Sequence, residues 1–207
     1  MKKVPARLII LISMSVFLVI LGSIKFVDTE LAERVIRFLM SIHKLHKIAE
    51  NIPDLLSYLV VIGTILMWVI YFYRLKKKKN DVKTKFLKLA ATTLPVVYLL
   101  KTFFQFAFGR TTPRLILNKP IIFDWFNSNN GGSFPSGHMS VFAAFGAAII
   151  FYFPKYRKIV LIMLILLGAA LIITDYHFLS DVIAGAYLGF ITSYSLWYLF
   201  EKQMSSK

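Results

Sequence analysis

Three residues in two short segments have the types and spacing for phosphate chemistry. Phe134-Pro135-Ser136-Gly137-His138 ends a loop in an imidazole, and His177 is followed four positions later by Asp181. Four residues make about one helical turn, so the second imidazole and the carboxylate share a face. Metal-free cleavage of a phosphomonoester needs a nucleophile, a group to orient it, an acid for the leaving oxygen and donors for the phosphoryl oxygens. His177 serves as the nucleophile when its other ring nitrogen is held by a carboxylate. Asp181 is spaced to hold it and to fix its tautomer. His138 can protonate the departing alkoxide, a step worth ~10²–10⁴ in rate. Ser136 and the backbone N–H groups of Gly137 and His138 open a helix. A helix start favours an anion, and glycine allows close approach. Cationic side chains complete such a clamp.

The elements that must position these residues are membrane helices. The chain has 207 residues, is 57% hydrophobic and has a mean hydropathy of +0.67, too apolar for a soluble domain of this size. It contains no cysteine, which excludes a disulfide framework, a thiolate nucleophile and thiolate metal ligands. No zinc-like cluster is present, and neither a metal nor a cofactor is expected. A net charge of +15 in a soluble protein would point to nucleic acid. Here Lys and Arg lie between apolar runs, the pattern of a topogenic signal, and no nucleic-acid partner is expected.

Six spans are read: about Leu8–Ile24, Leu55–Tyr73, Leu87–Phe108, His138–Phe153, Ile159–Ile173 and Val182–Phe200. The basic start and first apolar run also suit a signal peptide. Leu21-Gly22-Ser23-Ile24-Lys25 is a poor cleavage site, so a retained anchor is favoured. The Arg74–Lys85 connection, Lys155 with Arg157 and Lys158, and both termini are basic and fall on one side of a six-span chain. By the positive-inside rule that side is the cytoplasm. Topology already explains the Lys76–Lys79 run, without an anionic-lipid site.

The opposite side receives 25–54, 109–137 and the turn near His177. Both candidate segments therefore meet there, although the spans were counted without them. In 25–54, Leu31, Val35, Phe38, Leu39, Ile42 and Leu45 recur at three- and four-residue spacing, an amphipathic helix on the outer face. His43 and His46 read as solvated helix-face residues, not as a metal pair. Phe123, Trp125 and Phe126 suit an interfacial belt or a lid, and Asn127–Gly132 a turn. No internal repeat or second domain is seen, so 1–207 reads as one membrane domain.

Ser-Gly-His followed by the Ser180-Asp181-Val182-Ile183-Ala184-Gly185 run after His177 resembles the type-2 phosphatidic acid phosphatase (PAP2) superfamily of membrane lipid phosphatases, over about residues 95–195. The resemblance implies an all-α six-helix membrane bundle and a phosphohistidine on His177 partnered by Asp181. It further implies His138 as general acid, Ser136 and Gly137 on the phosphate, no metal ion, and a site on the periplasmic or outer side. The chain also departs from the pattern. Where the family carries a Lys and an Arg before its proline, Gln105 and Thr112 stand, and Leu171 occupies the place of a later Arg. Lys101, Arg110 and Arg114 are the candidate replacement cations, although Lys101 also suits a side chain snorkelling to headgroups. Lys119 reads as a solvated loop charge, and Asp175 as a second outer-face carboxylate without a catalytic role.

Taken singly, Ser-Gly-His is a chance tripeptide, His177 an interfacial histidine and Asp181 a helix cap. Their order on one side of one membrane points to function. The expectation is a metal-independent phosphatase of a bacterial inner membrane, acting on a lipid phosphate or pyrophosphate. The alternatives are a lipid phosphotransferase and a non-catalytic phospholipid-binding or transport protein.

Overall fold

A computed structural model of the chain describes residues 5–40, 43–113, 125–126 and 132–205, excepting the side chains of 40, 43–57, 59 and 204–205. The described residues form seven α-helices and no strand: α1 (Ala6–Phe26), α2 (Asp28–Met40), α3 (His43–Lys76), α4 (Val82–Phe108), α5 (Gly137–Tyr152), α6 (Arg157–Ile173) and α7 (Leu179–Ser205). Six of them carry the six apolar runs. α1, α4, α7 and the segment Pro154–Ile173 are each long and apolar enough to cross a membrane. α5 is a shorter apolar helix of 16 residues. α3 contains the second run but starts twelve residues before it, at His43.

Over the segment 25–54 expected to be an amphipathic helix, the described residues are helical in α2 and in the first part of α3, and 41–42 lie outside the described residues. Within α2, Ile36 and Leu39 are buried whereas Phe38 is exposed. Ile42 lies outside the described residues, as do the side chains of Leu45, His43 and His46.

The outer surfaces of α1, α3 and α6 are apolar and exposed, including Leu11, Phe17, Leu18, Val69, Ile165 and Leu166. Such a surface suits contact with lipid. Lipid chains are as apolar as the side chains, so hydrophobic burial does not hold the helices together, and close packing of small residues must. The tightest seam, α5 against α7, shows this. A Cβ on Gly185 would lie 2.5 Å from the Ser136 carbonyl oxygen, and one on Gly189 would lie 2.1 Å from that of Ser140. Without side chains there, the backbones approach closely. That seam carries one candidate segment at the start of α5 and the other at the start of α7.

The core lies between α4, α5 and α7. Leu89, Ala90, Ala147, Ala148, Phe151, Tyr194 and Trp197 fill the end far from the site, and Leu94, Val97, Val141 and Ala144 fill the middle. Asp81 caps α4, accepting from the Thr84 N–H at 3.0 Å, and Arg74 at the end of α3 binds both its oxygens at 2.6 Å.

Candidate active site

Each segment reaches the site through a defined helix end. Ser136 is the N-cap of α5 and accepts from the Met139 N–H, while its own N–H donates to the Asp181 carbonyl at 3.0 Å. The latter bond ties the start of α5 to the start of α7. The end of α6 is a Schellman turn: Asp175 N–H donates to Ile172 O at 3.0 Å and Tyr176 N–H to Leu171 O at 3.1 Å. Asp175 occupies the left-handed position of that turn, with φ of 61°. Asp tolerates this region better than most residues, its side chain being short and polar. The turn reverses the chain and delivers His177, whose N–H also reaches Leu171 O, at 3.2 Å. Asp175, expected as an outer-face carboxylate, is instead buried in the turn.

His138 and His177 face one cavity of about 370 Å³, with ring centroids 6.4 Å apart. Lys101, Gln105, Thr112, Ser133, Gly137 and Tyr176 also line it, and Tyr58 and Val60 of α3 close one side. The His177 Nδ1 lies 3.7 Å from Asp181 Oδ2 and has no hydrogen-bond partner among the described residues. Asp181 Oδ2 accepts from the Phe178 N–H at 3.0 Å. The pair thus has the expected order and facing but lies beyond hydrogen-bond length. Catalytic hydrogen bonds often tighten only when substrate binds.

Lys101 extends along α4 to the cavity, its Nζ donating to Gln105 Oε1 at 3.2 Å and resting 4.5 Å from the Tyr98 ring. Gln105 in turn donates to the Pro135 carbonyl at 3.1 Å, bracing the loop before Ser136. Gly137 lies against the Lys101 stem, with Lys101 Cδ 3.2 Å from where its Cβ would be. Ser136, expected on the phosphate, is fully buried behind the wall as the cap. Ser133, which the sequence did not single out, lines the cavity and donates to the Thr111 carbonyl at 3.1 Å. No local motif marks it, because its place depends on a backbone bond from its N–H to the distant Arg110 carbonyl, at 2.7 Å.

Arg110 corrects the sequence reading most sharply. Expected as a phosphate-binding cation, it is instead a wholly buried hub. Its Nη1 donates to Asp181 Oδ1 at 2.6 Å and to Ser180 Oγ at 2.7 Å, and its Nη2 to Asp28 Oδ2 at 2.8 Å. Phe178 and Trp125 cover it, 4.1 and 4.8 Å from Cζ to ring centroid. Two desolvated carboxylates claim the guanidinium because neither can stay charged in the interior without a partner. Gly109, left-handed at φ of 48°, ends α4 and turns the chain so that Arg110 points inward. Arg114 and Lys119 lie outside the described residues, as do Phe123 and most of the Asn/Gly run. Leu171 sits in an apolar cluster with Met139 and Val182, and Thr112 at the cavity wall. Among the described residues, no group of three or more His, Cys, Asp or Glu could hold a metal ion.

A second space of about 230 Å³ borders the cavity, with Val60, Val141 and Phe142 lining both. Its other walls are Gly63, Met67, Leu94 and Phe145, so it is an apolar groove lined by α3, α4 and α5.

Comparison with known proteins places the chain among membrane phosphatase relatives. A stretch of the chain is 44% identical over 57 residues to lipid A 1-phosphatases of Rhizobium etli and Rhizobium johnstonii. The match covers 28% of the chain but only 25% and 23% of those proteins. The fold is similar to the crystal structure of a transmembrane PAP2-type phosphatidylglycerolphosphate phosphatase from Bacillus subtilis. That likeness has a TM-score of 0.54 at 20% identity and covers 92% of this chain and 96% of that one. The model of the PAP2 superfamily matches residues 85–205, more than half of the chain and the stretch that holds both histidines. With its apolar helices and these two histidine segments joined at one end of the bundle, the chain is an integral membrane protein that belongs to the PAP2 superfamily.

Proposed function

We propose that the protein is a lipid phosphatase that works through a phosphohistidine on His177. The observation that carries this reading is that His138 and His177 share one cavity, with an apolar groove bordering it across Val60, Val141 and Phe142. The cavity takes a phosphate head and the groove its acyl or isoprenyl chain. His177 presents Nδ1 to Asp181, leaving Nε2 to attack phosphorus. The P–O bond to the lipid breaks as the N–P bond forms, and His138 gives its proton to the leaving oxygen. His138 then takes a proton from water as that water attacks phosphorus, releasing phosphate and free His177. Lys101 and the N–H groups at the start of α5 balance charge on the phosphoryl oxygens. A metal ion enters no step.

The substrate is a lipid phosphate or pyrophosphate. Phosphatidic acid, phosphatidylglycerophosphate, undecaprenyl pyrophosphate and a lipid A phosphate form the panel to test. Phosphate release by the detergent-purified protein is measured on this panel with EDTA present, beside His177→Ala. Release that survives chelation and is lost in the variant supports the reading. Release unaffected by His177→Ala, or abolished by EDTA and restored by a metal, overturns it. Phosphate appearing on an acceptor lipid instead of in solution would identify a transferase using the same histidine.

A further inference from the structure

We propose that Asp28, from the N-terminal part of the chain, is a positioning residue for the catalytic carboxylate, acting through Arg110. The inference rests on His177 as nucleophile and Asp181 as its partner, and it adds a residue outside the family-matched stretch 85–205.

Asp28 stands in the first turn of α2, only 1% exposed although carboxylates at helix starts are ordinarily solvated. Its hydrogen bonds run to Arg110, just past the end of α4, and to Ser180 at the start of α7. Oδ2 accepts from Arg110 Nη2 at 2.8 Å and from the Ser180 hydroxyl, and Oδ1 accepts from the Ser180 N–H at 3.1 Å. Arg110 then uses its other terminal nitrogen on Asp181 Oδ1, at 2.6 Å. With Oδ1 held by Arg110, and Oδ2 bound by the Phe178 N–H on the side of His177, the Asp181 carboxylate has one orientation.

Asp28 does not line the cavity that His138 and His177 face. It therefore acts without touching substrate. Its charge has a second effect. A guanidinium between two carboxylates is shared, so Asp181 keeps more of its negative charge for the imidazole than it would as Arg110's sole partner. That charge stabilises the cationic ring formed as His177 attacks. Loss of Asp28 lets Arg110 collapse onto Asp181 and weakens the transition state more than substrate binding.

The test is steady-state kinetics of Asp28→Asn and Asp28→Glu on the best lipid of the panel, with thermal melting recorded for each. Asp28→Asn is expected to lower kcat about 10–100-fold with KM within about twofold of wild type, the pattern of a group that holds a catalytic side chain from behind. Asp28→Glu, which keeps the charge, is expected to lose less. A cycle with Asp181→Asn, in single turnovers at excess enzyme, separates positioning from a general structural role. If Asp28 acts through Asp181, adding Asp28→Asn to Asp181→Asn costs almost nothing more.

Wild-type kcat in Asp28→Asn overturns the proposal. So does an equal further loss on top of Asp181→Asn, or a rise in KM that follows lost thermal stability, since each describes a mere staple between α2 and α7. Should Asp28→Asn not accumulate as folded protein, Asp28→Glu decides alone: lowered kcat at held KM supports the inference, and unchanged kcat overturns it. A wild-type protein indifferent to His177→Ala would instead sink the underlying phosphatase reading. An active, His177-dependent enzyme indifferent to Asp28→Asn and Asp28→Glu would sink only this one.

Discussion

At the scale of single residues, the division of labour follows from which side chains reach the cavity. Lys101 is the described cation on its wall. A charge-assisted contact of that kind is worth about 1.5–3 kcal/mol. Lys101→Met is expected to raise KM about tenfold or more while leaving the folded protein intact, and titration of initial rates against lipid concentration checks it. His138→Ala is expected to lower kcat by ~10²–10⁴ on an alkyl phosphate. The loss should shrink on an aryl phosphate, whose leaving oxygen needs less protonation. An equal loss on both would remove His138 from the role of acid.

The same residues show what the chain disclosed before folding. His138 and Asp181 stand in the first turns of α5 and α7, as their short segments suggest, whereas His177 precedes α7 in the turn that ends α6, so its spacing from Asp181 is not that of one helix. Arg110 was misplaced because its destination depends on Asp28, 82 positions away, and no local spacing reveals that pairing. Ser136 was read as a phosphate donor from its motif, whereas the helix that follows uses its hydroxyl as a cap.

At the scale of elements, the site is the meeting of two helix starts, and it stands or falls with the α5–α7 seam. An added methyl at Gly189 would meet the Ser140 carbonyl at 2.1 Å, a contact that must push the helices apart. Gly189→Ala is expected to destabilise by about 1–3 kcal/mol and to lower phosphate release. Gly22, with nothing within 4 Å of its would-be Cβ, is the control, and Gly22→Ala should leave melting unchanged or slightly raised. Equal melting of the two variants would refute the seam.

The α3–α4 connection gives a pH test outside the spans. The Arg74 guanidinium, and then the Thr84 N–H, hold the Asp81 carboxyl well below the usual carboxylate range. A depressed folded value means that the contribution is present at neutral pH and lost as pH falls below the ordinary value of about 4. Wild type and Asp81→Asn should therefore differ in melting at neutral pH and converge only in strong acid.

At the scale of the whole molecule, six of the seven described helices carry the six apolar runs, and four of the segments are long and apolar enough to cross a membrane. The seventh, α2, brings Asp28 to the site. Sidedness remains a prediction from charge. Since the chain has no cysteine, single substitutions can report it. Phe126→Cys, at an exposed position near the site, is expected to react with an impermeant maleimide on intact cells. Lys78→Cys, in the basic connection, should react only after permeabilisation, and the reverse pattern would invert the topology.

The phosphohistidine mechanism requires a covalent bond between His177 and phosphorus, which can be trapped during turnover. Protein turning over its best lipid phosphate is quenched in alkali, where phosphohistidine survives, and its peptides are mapped by mass spectrometry. A phosphoryl group is expected on the peptide containing His177, formed within the time of one turnover and absent from His177→Ala. Turnover with that peptide unmodified, or with the phosphoryl group on a different residue, would contradict the mechanism.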